Sequence, residues 1–296
     1  MSHADLDSQW PAEYQPNWET LQSAKSEDVF GGAAFELFKE TGILTTLAAG
    51  LIPSEPMNRD DAILCGLLVK ACKLGKAIVA MSTHLGSDRQ LALLRELIEA
   101  LATLRYLLDD PGDGSRFTAY VLNSSVAERE FLKIVERNVA DRGTELPIEA
   151  SMTRSIRNTT ASAGIDDASS VPGKKRIGWP SAETLVNGLG GDFYLAYRGG
   201  SSVLHSQWAD LIRNHLVRTT GGHFVPSFDE PAPRPQPLYA GATLLVITID
   251  RYLTRMHTEA LELFRAHLSG LEERLHRLVQ LHGAWLDART TGQASA

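Results

Sequence analysis

Tyr194, Tyr197, Arg198, Ser201 and His205 are spaced to share one face of a helix. At about 100° per residue with Tyr194 at 0°, Arg198 falls at about 40°, Ser201 at about −20°, His205 at about 20° and Tyr197 at about −60°. Trp208 joins them at about −40° if the helix continues that far. Arginine is a permanent cation with a fork suited to phosphate or carboxylate. Histidine is the side chain that exchanges a proton near neutral pH. With a serine between them, the set could grip an anion and move a proton. The same residue types also suit a buried polar network that ties two helices together. Gly199 and Gly200 bear on the choice. Each costs about 1 kcal/mol against alanine inside a helix. The pair therefore signals either close approach of another backbone or a break that would cancel the shared face.

A second pair lies upstream. Arg95 and Glu99 are four residues apart in a segment with leucine or isoleucine at 91, 93, 94, 97, 98, 101, 104, 107 and 108. Those positions wrap most of a helix, so it is expected to be central and buried. A charged pair there must be mutually satisfied or sit beside a cavity. If this helix packs on the Tyr194–His205 face, Arg95, Glu99, Arg198, Ser201 and His205 become one cluster. Glu99 could then orient His205 or neutralise Arg198, or could lock two helices together as an ion pair.

Other signals are weaker. Lys174-Lys175-Arg176 is a small basic run that reads as solvated or as phosphate-facing. Asp109-Asp110 fits a metal contact, but equally a helix-ending Asp-Asp-Pro-Gly turn. His257, His267, His276 and His282 show no i, i+4 ligand spacing, so no metal is expected. Cys65 and Cys72 are seven apart, about 10 Å along a helix, too far for a bridge within it; they read as buried thiols of a reducing compartment. The phosphate-loop, dinucleotide and Gly-x-Ser-x-Gly signatures are absent, and no cofactor is expected.

Two segments resemble a widespread bacterial helical family known as a domain of unknown function. They are Arg95-x-x-x-Glu99 in a leucine-rich helix ending at Asp110-Pro111, and Tyr194-x-x-Tyr197-Arg198-x-x-Ser201-x-x-x-His205. The resemblance spans roughly residues 55–255. More distantly, the Arg-to-His spacing is similar to the Arg-x(4–6)-His motif of the HEPN superfamily. Active members of that superfamily are dimeric, metal-independent RNases. The likeness implies Arg198 as a phosphate contact and His205 as the group acting on the ribose hydroxyl. This chain departs in placing Gly199 where those enzymes carry a polar residue after the arginine. Many HEPN-like domains have no catalysis.

Elements must position these residues. Residues 1–25 read as an extended arm, with Trp10 and Trp18 suited to docking on the body. Helical periodicity marks Phe30–Leu51 (closed by Pro53), a segment opening at Asn58, Gln90–Asp110, Ser115–Asp141 and Ile148–Ala161. A loop at about 163–180 and a short helix capped by Ser181 follow. Thr219–Pro237, with five prolines and two glycines, reads as loop. One long helix over Leu238–Leu268 and a last one over Leu271–Asp287 complete the chain, and residues 289–296 read as a disordered tail. No hairpin signal stands out. The expectation is an all-α, single large helical-bundle domain over 26–288, of about eight to ten helices with a HEPN-like core. The long loops leave a two-lobe division open.

Composition limits the functions. With 296 residues, 43% apolar and 22% charged, the chain is ordinary globular protein. A net charge of −7 gives no overall electrostatic footprint for nucleic acid. The most apolar window, Leu238–Ile249, is far below the ~20 residues of a membrane span, and a cytoplasmic protein without membrane contact is expected. Two functions suit these residues. One is a non-catalytic binding or partner-interaction module, whose Arg95, Glu99, Tyr194, Tyr197 and Ser201 form an anion pocket or structural network. Its partner would be an anionic small molecule, another protein or a second copy of the chain. The other is a HEPN-like RNase (a toxin or phage-defence effector) with Arg198 and His205 as catalytic residues and RNA as substrate.

Overall fold

The computed structural model describes residues 10–51, 57–84, 87–191, 193–205, 207–229, 234–256 and 260–293. The protein is all-α: helices dominate, and the described residues include one two-stranded sheet. Pro53 and His257 fall outside the described residues. The chain divides into two compact units, one of Met1–Met57, Asp61–Leu108 and Ala182–Ala296, the other of Asn58–Asp60 with Asp109–Ser181.

In the first unit, α1 spans Trp18–Gln22 and α2 Asp28–Gly50. The stretch expected to be extended up to residue 25 thus contains a helical turn. The side chain of Asn17 caps it by accepting from the Thr20 N–H at 3.0 Å. In α2, Phe30, Ala34, Leu37, Phe38, Leu44 and Ala48 recur at helical spacing and are wholly buried. Helix α3 runs over Arg59–His84, in this unit from Asp61 on, and α4 over Ser87–Leu108. Leu97, Ile98, Leu101, Leu104 and Leu107 of α4 are inaccessible to solvent, so this helix is central. The chain's last two long helices, Pro235–Arg255 and Leu261–Gln293, complete the bundle. The former packs along α2, α4 and the latter. A Cβ on Gly241 would lie 2.8 Å from the Phe38 ring. Only glycine lets that helix approach α2 so closely.

In the second unit, α5 spans Ser115–Arg142 and α6 Pro147–Ser162, followed by a 3-10 turn at Ala168–Ser170 and the short α7 at Lys174–Ile177. Leu132, Ile156 and Ala168 form its core cluster. Gly143 adopts φ 74° at the end of α5, the left-handed conformation that stops a helix. Glu149 accepts from the Leu146 N–H at 2.9 Å and pairs with Arg142 at 2.5 Å. The Arg142 bond above all, with the Leu146 N–H, holds the Glu149 carboxyl below the ordinary carboxylate value.

Back in the first unit, α8 covers Ala182–Asn187 and α9 Phe193–Leu204. A short helical turn, Trp208–Asp210, runs into a π-type turn at Leu211–His215. Strands β1 (Leu216–Arg218) and β2 (Phe224–Pro226) then pair antiparallel, Val217 opposite Val225. This hairpin corrects the expectation of plain loop; three-residue strands are too short to show alternation. The long helices are α10, Pro235–Arg255, and α11, Leu261–Gln293. The single helix expected over Leu238–Leu268 is therefore two, although no proline or glycine stands between Arg251 and Ala260 to announce the stop. Helix α11 continues to Gln293, into the segment expected to be a disordered tail.

Candidate functional site

Helix α9 packs on α4, and Gly200 sets the distance. A Cβ there would meet the Leu91 carbonyl oxygen at 2.3 Å and Arg95 Cβ at 2.6 Å. Gly199 faces open space. The two glycines thus mark close approach, and the helix runs unbroken through both.

This approach brings Arg95 to the α9 face. Its Nε donates to Ser201 Oγ at 2.8 Å and its Nη2 to Tyr197 Oη at 3.1 Å. The guanidinium carbon stands 4.8 Å from the Tyr197 ring centre, within cation–π range. Glu99 approaches Nη1 at 3.6 Å, too long for a direct hydrogen bond. Ser201 Oγ in turn donates to the Tyr197 carbonyl at 3.0 Å. Tyr197 is buried, and the Arg95 side chain is 21% exposed. Arg95, Glu99, Tyr197 and Ser201 are therefore gathered into one latch between α4 and α9.

The other candidates lie beside it. Tyr194 stacks on Tyr197 at 6.4 Å and donates its hydroxyl to Glu183 at 2.7 Å. That bond holds the phenol proton more tightly than usual, against the opposing pull of nearby Arg198. Arg198 is exposed. Helix α9 stops at Leu204, so His205 sits in a turn, exposed and outside the Arg95 network. Trp208 lies beyond that turn, 58% exposed, with its ring edge-on to Phe224 at 5.5 Å. The expected cluster of Arg95, Glu99, Arg198, Ser201 and His205 is thus divided: no hydrogen bond or ion pair among these described residues joins Arg198 or His205 to Arg95.

The model of a family of unknown function (DUF5677) matches residues 61–224. The chain belongs to that family. No curated protein and no solved structure matches it. The DUF5677 segment contains both motifs, from Arg95 through His205, and ends at the first residue of β2.

Within the DUF5677 segment, Asp110 is engaged by a turn. Its carboxylate accepts from the N–H groups of Gly112 at 2.8 Å, Gly114 at 3.1 Å and Arg116 at 3.1 Å. Among the described residues no group of three or more His, Cys, Asp or Glu side chains is gathered as metal ligands, and no helix is long and apolar enough to cross a membrane. Cys65 and Cys72 are both buried, and burial pushes the Cys72 thiol up. One polar group in this segment was not anticipated: buried Asp210 accepts from Asn214 at 2.8 Å and lies 3.6 Å from His215 across the π-type turn.

A larger network lies outside the DUF5677 segment. Buried Glu40 accepts from both terminal nitrogens of Arg274 at 2.8 Å, from His267 Nε2 at 2.7 Å and from the Tyr14 N–H at 3.0 Å. Trp10 Nε1 donates to His267 Nδ1 at 2.9 Å, which makes Nε2 the protonated ring nitrogen. Arg274 also donates to the Tyr14 carbonyl at 2.5 Å. Burial alone would push the Glu40 carboxyl up, but the bonds from His267, Arg274 and Tyr14 together hold it below the ordinary carboxylate value. These residues are 26 to 234 positions from Glu40, so no spacing rule could find them. The sole hint was two tryptophans in a polar arm.

Proposed function

We propose that the protein is a non-catalytic binding and partner-interaction module. In this reading the Arg95–Tyr197–Ser201 latch is structural. It fixes α9 so that Arg198, with Tyr194 beside it, faces an anionic small molecule or a partner protein. The carrying observation is that the guanidinium of Arg95 is occupied by Ser201 and Tyr197 while Arg198 stays exposed. The base of a nucleophile–base–orienter triad is held by a third group, and the His205 ring has no such partner among the described residues. The surface beyond α9 supports partner contact: Ile212, Trp208, Val217, Phe224, Val225 and Phe228 are all exposed, Phe228 at 94%. Trp208 meets Phe224 and Val217 lies opposite Val225 on the hairpin, and exposed apolar surface of this kind suits a partner-interaction site. A homodimer through this hairpin, in the cytoplasm and away from membranes, is the simplest form of the proposal.

The second reading is a HEPN-like, metal-independent RNase. It is favoured by one observation: Arg198 and His205 are both exposed, seven residues apart at the same end of the site. The two readings part on expression in a bacterial host and on purified protein. The binding-module reading expects no growth arrest, intact total RNA, and a dimer by light scattering that dissociates in a Trp208→Ser/Phe228→Ser variant. RNA cleavage that disappears in His205→Ala would replace it with the nuclease.

A further inference from the structure

Helices α10 and α11 enclose between them a groove of about 630 Å³, with Phe193 at the head of α9 contributing to its wall. Small-molecule pockets run from about 300 to 1,000 Å³. The walls include Phe193, Val279 and the ring of Tyr239. The Tyr239 hydroxyl is turned to other use, 3.3 Å from Nδ1 of the buried His282, so the ring acts here as apolar surface. Burial, with the nearby Glu27 carboxylate adding to it, pushes its phenol up to about 12.

Two acidic side chains, Glu272 and Glu273, complete the lining. Neither enters an ion pair among the described residues. The arginines of α11 that could have served them are engaged elsewhere. Arg265 bonds Asp250 at 2.8 Å and Glu262 at 3.0 Å. Arg274 is turned inward onto Glu40, and Arg277 stacks on Trp18 at 4.2 Å. His276, also in the lining, is hydrogen-bonded to Gln280 at 2.8 Å. The groove therefore combines apolar walls with two exposed carboxylates that no ion pair among the described residues engages, although Arg251 and Arg265 share a neighbouring cavity with Glu272. Its lining on α11 runs from Ser269 to Val279, about 15 Å at 1.5 Å per residue. That length suits a drug-sized molecule better than a docked helix.

We propose that this groove binds an amphipathic organic cation. An aromatic or alkyl body lies against Phe193, Tyr239 and Val279, and an ammonium group meets Glu272 and Glu273. The site is separate from the α4–α9 latch, and its ligand is opposite in charge to the one Arg198 would take.

Three fluorescent probes of one size test this on the full-length protein: dansylcadaverine, its terminal alcohol analogue and its terminal carboxylate analogue. Titration at low salt should give binding of the amine about tenfold tighter than the alcohol, as expected for one or two exposed ion pairs, with the carboxylate weaker still. Glu272→Gln/Glu273→Gln should bring the amine within about twofold of the alcohol. Val279→Lys, at an exposed position, should abolish amine binding by occupying the groove with a cation of its own. Equal affinity for all three probes, no binding of the amine, or an amine affinity unchanged in the double glutamine variant would each overturn the proposal.

Discussion

Two of the arginine–carboxylate networks, one built on Arg95 and one on Arg274, differ in what they leave for function. Arg95 and Glu99 stand 3.6 Å apart, with Glu99 42% exposed. Arg274 and Glu40 are doubly bonded at 2.8 Å, both all but inaccessible. The deep network closes on itself: every partner of Glu40 comes from the arm or from α11. The shallow one is a latch beside which Arg198 is exposed and Tyr194 half-buried. A permanent cation sunk in the core serves cohesion, whereas one at the edge of a helix pair can hold a surface in register and still leave it free to bind.

The largest expected effect is in the deep network. Glu40→Ala leaves Arg274 buried without its counter-charge and frees the Tyr14 N–H. Breaking one half of a buried pair costs about 3–5 kcal/mol, so urea unfolding should show a loss of that order. Acid should act in the same direction. The folded-state pKa of Glu40 is depressed. Its contribution is therefore complete above the unfolded carboxylate value of about 4.3, and it is lost as pH falls through the lower folded value. The Glu40→Gln variant, with no carboxylate to protonate, should have a flatter melting temperature below about pH 4.3 than the parent protein. An equally steep fall would mean that other carboxylates dominate acid unfolding.

How much of this was legible in the sequence follows from range. The helices were readable because their apolar residues repeat within a few positions, as Leu94, Leu97, Leu101 and Leu104 do. The latch was readable in part: Arg95 and Glu99 are i, i+4 and Ser201 lies on the helical face set against them, whereas Tyr197 as the second partner of Arg95, and Arg198 standing outside, were not. The glycine pair carried its own message, although only geometry could choose close approach over a break. What failed was of three kinds. His205 obeys the wheel but lies one residue past Leu204, and the register of a face says nothing about where the helix stops. The Glu40 network joins residues up to 234 positions apart, a matter of tertiary packing alone. The hairpin at 216–226 was hidden by strands of three residues, and the stop after Arg255 by a sequence that continues to read as helix.

The glycine pair offers the next largest effect and an internal control. Gly200→Ala forces a Cβ to within 2.3 Å of the Leu91 carbonyl oxygen, and backbone cannot yield as a side chain tip does. Overpacking of this kind costs about 1–3 kcal/mol. Gly199→Ala meets nothing and should be neutral or stabilising by about 0.5–1 kcal/mol through helix propensity. If both variants melted alike, α9 would not be held against α4 as described, and the latch would lose its geometric basis.

Within the latch itself Arg95→Ala should cost about 1–2 kcal/mol. The buried Tyr197 hydroxyl loses its donor and its ring the cation above it, a loss on the scale of a hydrogen bond left unmade. Arg95→Lys should recover only part, because an ammonium cannot reach Ser201 and Tyr197 in the fork geometry.

Glu99→Ala tests the contrast most directly, because it removes the same functional group from the same kind of partner as Glu40→Ala does. Arg95 keeps both of its direct bonds in that variant, and solvent already screens a carboxylate that is 42% exposed. Exposed ion pairs contribute about 0–1 kcal/mol, so the melting temperature should hardly move, and raising the salt concentration should erase what difference there is. A loss as large as that of Glu40→Ala would mean that Glu99 carries the latch and that the two networks are one kind of device after all.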